Sequence, residues 1–119
     1  MTEVLVVDDE YTIRELISIV LEEEGYEVST ATNGGEAMER LSAAQPDLVL
    51  LDIMMPVLDG REVLRRMRAD PVLRHVPVLV MSAGANPAMR DAASNGFLRK
   101  PFDLSDLISN VSNLVRPDA

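Results

Sequence analysis

Short apolar runs alternate along the chain with segments whose apolar residues recur every three or four positions. Val4–Val7 is unbroken and stops at Asp8-Asp9; Ile13, Leu16, Ile17, Val20 and Leu21 follow at helical spacing, with Gly25 as a stop. Tyr26–Thr30 predicts a weaker second strand, and Ala37, Met38 and Leu41 a second helix ended by Gln45-Pro46. Leu48–Leu51 predicts a third strand, and Val63, Leu64 and Met67 line the helix after it. Pro77–Met81 predicts a fourth strand, where Pro77 is tolerable only near the start. Asn86-Pro87 reads as the cap and first turn of a short, Ala-rich fourth helix closing at Asn95-Gly96. Phe97–Arg99 predicts a brief fifth strand. Leu104, Leu107, Ile108, Val111, Leu114 and Val115 make the last helix the most amphipathic, with Asp103 placed to cap it.

Five strands alternating with five helices imply an α/β fold with a parallel sheet covered on both faces. Right-handed crossovers leave few arrangements, and the common doubly wound, flavodoxin-like (βα)5 order is 2-1-3-4-5. That order puts a ligand crevice where strands 1 and 3 diverge. No internal repeat or interdomain linker interrupts the pattern. The expectation is one domain over residues 1–119, with a core of about 3–115 and a tail at 116–119.

Composition narrows the classes. A chain of 119 residues with 47% hydrophobic and 26% charged residues suits a domain with one core. No apolar stretch approaches the ~20 residues that span a bilayer, and "MTEVLVVDDE" lacks the basic start of a signal peptide, so cytoplasm is expected. The absence of cysteine removes disulfides, thiolate nucleophiles and Cys-ligated zinc. The net charge of −9 is unevenly spread: residues 1–59 hold 14 acids and two bases, residues 60–119 six acids and nine bases. Such a chain repels nucleic acid, so direct binding to it is not expected. The asymmetry also suggests that acids gather in one place.

The strand order says where. Asp8-Asp9 ends strand 1 and Asp52 ends strand 3, so three acids share one sheet edge at the switch point. Carboxylates that close raise each other's pKa unless a cation neutralises them. All-oxygen ligands without His or Cys favour a hard cation, and few protein ligands suit Mg²⁺. Strand 4 ends at Ser82 and strand 5 at Lys100, which brings a hydroxyl and an ammonium to the same edge. These are the parts of a phosphoryl-transfer site. Each has an ordinary reading: Asp8 or Asp9 as a helix cap, Asp52 in an Asx turn, Ser82 in a cap or turn, Lys100 as a solvated charge. Four separate strands placing suitable groups on one edge by accident is a much weaker reading.

The segments "LVVDDE", "LVLLDIMMPVLDG", "VLVMSA" and "FLRKPF" together resemble the receiver domain of two-component response regulators (the CheY-like family), over essentially the whole chain. The resemblance implies that Asp52 is the phosphoacceptor for a histidine kinase or histidine phosphotransfer protein. It implies Mg²⁺ held by Asp9, Asp52 and the backbone carbonyl of Met54, with Asp8 acting through water. Lys100 would pair with phosphoryl oxygens, Ser82 and Phe97 would be the switch hydroxyl and switch aromatic, and the Lys100-Pro101 bond is commonly cis in the family. Phosphorylation would then reshape the surface of the fourth helix, fifth strand and last helix, read by an unknown downstream protein. In the loop "IMMPVLDG", Pro56 and Asp59-Gly60 allow the reversal, and Met55 reads as a packing residue. The stretch from Ser82 to Lys100 is shorter than usual for the family by roughly one helical turn, which bears on the completeness of the fourth helix.

Such a chain switches rather than turns over a metabolite, so it is not expected to be an enzyme beyond its own phosphorylation and dephosphorylation. Two rivals stand beside it. A Mg²⁺-dependent phosphatase of the haloacid dehalogenase type also uses an aspartyl nucleophile, but "DDEY" lacks its spacing. A silent pseudo-receiver is opposed by the intact acids, Ser82 and Lys100. Arg61, Arg65 and Arg68 share a face opposite Val63, Leu64 and Met67, which reads as a solvated helix face. His75 reads as a loop residue, and no Gly-rich phosphate loop occurs. A monomer is expected, with dimerisation on phosphorylation left open.

Overall fold

The computed structural model describes residues 1–55, 57–83 and 94–115. In chain order the elements are β1 (Glu3–Val7), α1 (Tyr11–Glu23), β2 (Glu27–Ala31), α2 (Gly34–Ala43), β3 (Leu48–Asp52), α3 (Gly60–Ala69), β4 (Val78–Ser82), β5 (Gly96–Arg99) and α4 (Leu104–Leu114). Helix α4 is the last of the five expected from the sequence. The expected fourth helix, from Asn86-Pro87, lies outside the described residues, as do Pro56 and the tail at 116–119.

The strands form one parallel sheet in the order β2-β1-β3-β4-β5, as the doubly wound reading requires. β3 and β4 are buried at every position, which is why their sequences are continuous apolar runs and not alternating ones. Alternate residues still divide between the two faces. Leu5, Val7, Val49, Leu51, Val78 and Val80 pack with Ala37 and Leu41 of α2 and Val63, Leu64 and Met67 of α3. Val4, Val6, Leu48, Leu50, Leu79 and Met81 pack with Ile17 and Leu21 of α1 and Leu107 and Val111 of α4. Each fully buried Val, Leu, Ile or Met among them contributes about 1.5–3 kcal/mol by leaving water. The central strands are thereby rigid supports for whatever follows them.

Several boundaries differ from expectation by a residue, and the reasons are local. β4 begins at Val78; Pro77 has no N–H to donate, and only its carbonyl joins the ladder, accepting from Val49 N–H at 3.0 Å. β3 runs on to Asp52 and β4 to Ser82, so both residues belong to the ladder itself. Asp59-Gly60 is a helix start and not a turn: Asp59 Oδ1 accepts from Glu62 N–H at 3.0 Å, and Gly60 is the first residue of α3. Asp103 takes the cap position of α4, yet its side chain makes no capping bond. Gly25 ends α1 with φ of +94°, a conformation that favours glycine. Among the described residues no helix is long and apolar enough to cross a membrane.

Candidate functional site: an acidic pocket at the sheet edge

The parallel register carries β1, β3, β4 and β5 to the same edge. Val7 pairs with Leu51, Asp52 with Met81, and Ser82 with Arg99, so Asp8, Asp52, Ser82 and Lys100 all emerge there. Asp8, Asp52, Ser82 and Lys100 are buried, and Asp9 is exposed at the rim. Oxygens of Asp8, Asp9 and Asp52 lie within 4.8 Å of one another. The convergence expected from the sequence is therefore present.

Bonds within the pocket orient the Asp8 and Asp52 carboxylates. Lys100 Nζ donates to Asp8 Oδ2 at 2.7 Å and stands 3.6 Å from Asp52 Oδ2. Asp52 Oδ1 accepts from the Met54 N–H at 3.2 Å, while the Met54 side chain is exposed. Asp8 Oδ1 accepts from Glu10 N–H at 2.9 Å, an Asx turn that leads into α1; the cap position itself is Glu10. Arg14 Nη1 donates to the Asp8 carbonyl at 2.9 Å and braces the same turn. Lys100 N–H donates to the Ser82 carbonyl at 2.8 Å, so the lysine is tied to β4 by its backbone.

Charge is left unbalanced. Burial, then the charge of Asp8, push the Asp52 carboxyl up from 3.8 to about 6; Asp9 adds to this, and Lys100 and the Met54 N–H oppose it. For Lys100 burial acts downward, but the bond to Asp8 and the charges of Asp8 and Asp52 outweigh it and hold the ammonium above its usual range. Among the described residues one ammonium, that of Lys100, thus lies among the three acids. The donors are all oxygen, clustered tightly and lacking any imidazole or thiolate, which fits a small hard divalent cation such as Mg²⁺.

Other residues singled out in the sequence fall as follows. Phe97 pairs with Val80 and is half-buried, its ring packed against the core on the α2–α3 side. Met55 is buried as a packing residue, and the Lys100-Pro101 bond is cis. Arg65 and Arg66 both pair with Glu62 on the exposed face of α3, holding its carboxyl down at about 2. Arg68 departs from the expected solvated face: it is half-buried and donates to backbone carbonyls at Arg74 and Val76 and to Asn95. Sequence reading also missed Gly60. A Cβ there would overlap the Asp52 carbonyl and the Ile53 Cα, so α3 starts directly against the backbone of β3. The Asp-Gly pair was the available signal, read as a turn.

Comparison with known proteins agrees with this geometry. The family model for the response regulator receiver domain matches residues 4–112. The DNA-binding dual master transcriptional regulator RpaA of Synechocystis is 35% identical over 98% of this chain and 50% of its own length. Response regulator MprA of Mycolicibacterium vanbaalenii is 38% identical over 95% of this chain and 50% of its own. The chain thus spans about half the length of the curated relatives it matches. Among solved structures, chemotaxis protein CheY4 of Vibrio cholerae superimposes with a TM-score of 0.89 at 32% identity, covering 96% of this chain and 98% of that one. The receiver domain of a signal transduction histidine kinase from Syntrophus aciditrophicus gives 0.91 at 31% identity, covering 100% and 96%. With the fold, the acid cluster and these matches in agreement, the chain belongs to the response regulator receiver domain family, the signalling switches of two-component systems.

Proposed function

We propose that residues 1–119 act as one receiver unit in which Asp52 accepts a phosphoryl group from the phosphohistidine of a histidine kinase or histidine phosphotransfer protein. The observation that carries this reading is the buried Asp8–Lys100–Asp52 arrangement with Asp9 at its rim. Rigid β3 presents the Asp52 carboxylate, and one of its oxygens forms the new P–O bond as the donor's P–N bond breaks. The departing imidazole keeps the electron pair and takes up a proton. Lys100, already 3.6 Å from Asp52, offsets the charge of the phosphoryl oxygens. Asp9, Asp52 and the Met54 carbonyl would hold Mg²⁺, with Asp8 acting through water; when bound, the ion neutralises carboxylate and phosphoryl charge.

The output follows from the added charge. A phosphoryl group brings roughly two negative charges and strong acceptor oxygens. Ser82, buried at the end of β4, turns its hydroxyl to that group, and half-buried Phe97 moves into the vacated space. The surface around β5 and α4 then changes for a downstream protein partner, biasing a two-state equilibrium. The site sits in a soluble, cytoplasmic switch that turns over no metabolite. The test is incubation with Mg²⁺ and an acyl phosphate donor, followed by intact mass. Wild type should gain one phosphoryl group and retain it; rapid release of phosphate from many esters would indicate a phosphatase, and no gain a silent receiver.

A further inference from the structure

Strand β5 has four residues, lies at the edge of the sheet, and buries only the Leu98 side chain. Hydrophobic patterning alone specifies the register of such a strand weakly. A slip of one residue would turn Leu98 outward and carry Lys100 away from Asp8. Two polar residues remote from the acids fix its start. Asn95 N–H donates to the Val78 carbonyl at 2.9 Å, and Asn95 Oδ1 accepts from Val78 N–H at 2.9 Å. The same Oδ1 accepts from Arg68 Nη2 at 2.8 Å. Arg68 Nη1 in turn donates to the carbonyls of Arg74 at 3.1 Å and Val76 at 2.9 Å. One planar guanidinium therefore ties the end of α3, the connection into β4 and the residue that leads into β5. Lys100 N–H to the Ser82 carbonyl closes the other end.

We propose that Arg68 and Asn95 form a register latch that sets β5 on β4 and so positions Lys100 and Phe97 for phosphoryl chemistry at Asp52. This rests on the function proposed above, and both are positioning residues that touch no reacting group. The latch imposes the register of β5 from α3. Asn95→Asp keeps the acceptor for both donors, whereas Asn95→Ala and Arg68→Ala remove the latch. Arg68→Lys keeps the charge and loses the fork.

The test combines amide hydrogen exchange with the phosphorylation rate from an acyl phosphate at saturating Mg²⁺. In Asn95→Ala and Arg68→Ala, exchange at Phe97–Arg99 should rise about tenfold more than in β1 and β3. Phosphorylation should slow about tenfold through misplacement of Lys100. Mg²⁺ affinity should stay unchanged, and Asn95→Asp should restore both rates. If Arg68→Ala does not fold, Arg68→Lys supplies the comparison, with the same selective rise expected. Exchange rising equally in all strands, or phosphorylation at the wild-type rate, overturns the proposal. If β5 loosens selectively while wild type takes up no phosphoryl group, the function fails and the latch survives only as a strand-positioning device.

Discussion

At Asp52 burial and the Asp8 charge work against ionisation, and a lysine 3.6 Å away offsets only part of this. The consequence is a pH dependence of unusual sign for an acid. The folded carboxyl titrates at about 6 and the unfolded one at 3.8, so the fold binds its proton more tightly. Metal-free stability from this group is therefore greatest below about pH 4 and is lost as pH rises to about 6. The loss amounts to roughly 3 kcal/mol. Asp52→Asn should flatten that slope and raise the melting temperature at pH 7 in chelator, read by calorimetry against wild type. Lys100→Ala should act the other way. It leaves the fully buried Asp8 carboxylate without its 2.7 Å partner, at a cost of about 3 kcal/mol in urea unfolding at pH 7. The types and edge positions of these residues were legible in the sequence, because a run such as Leu48–Leu51 ending in an acid marks a strand end. Their pairing was not. That Lys100 bonds Asp8 at closer range than Asp52 depends on side-chain reach past the ends of β4 and β3, which no spacing encodes.

The elements matter through where they begin. Helix α3 starts against the carbonyl of Asp52, and Gly60 N–H donates to the Ile53 carbonyl at 3.0 Å. Gly60→Ala should force the helix start and the β3 end apart, costing about 2–3 kcal/mol in urea unfolding and slowing phosphorylation at Asp52. Loss of stability with an unchanged phosphorylation rate would separate the helix from the site. The strands and helices within the described residues were readable from apolar periodicity to within a residue or two, since β3 and β4 are buried on both faces. The misreadings came from residues with two uses. Asp59-Gly60 serves turns and helix starts alike, and backbone approach decided for the helix. Arg68 satisfied the polar side of a helix pattern while its guanidinium reached carbonyls beyond the helix end, a contact set by tertiary packing. Asn95, expected at the close of a helix that lies outside the described residues, has the added use of leading into β5 through its bonds to Val78.

Over the whole molecule, surplus negative charge at one sheet edge should make stability depend on a cation. Mg²⁺ at a hundred times its dissociation constant should raise the unfolding free energy by about 2.7 kcal/mol, measured by calorimetry with and without chelator. Asp9→Asn should shrink that gain with little change in the metal-free protein, because Asp9 is exposed and Asp8 and Asp52 are buried. Strand order, and hence the meeting of residues 8, 9, 52, 82 and 100, followed from handedness and connection rules applied to the sequence. The electrostatic balance of the pocket needed atomic distances. On the proposed function, this edge directs a phosphoryl group to one particular acid. After reaction with an acyl phosphate and Mg²⁺, borohydride reduction converts an aspartyl phosphate to homoserine, and peptide mass spectrometry reads the position. Homoserine at residue 52 alone, absent in Asp52→Asn, is the predicted result. Homoserine at position 8 or 9, or unreduced aspartate throughout, would rule out Asp52 as the phosphoacceptor.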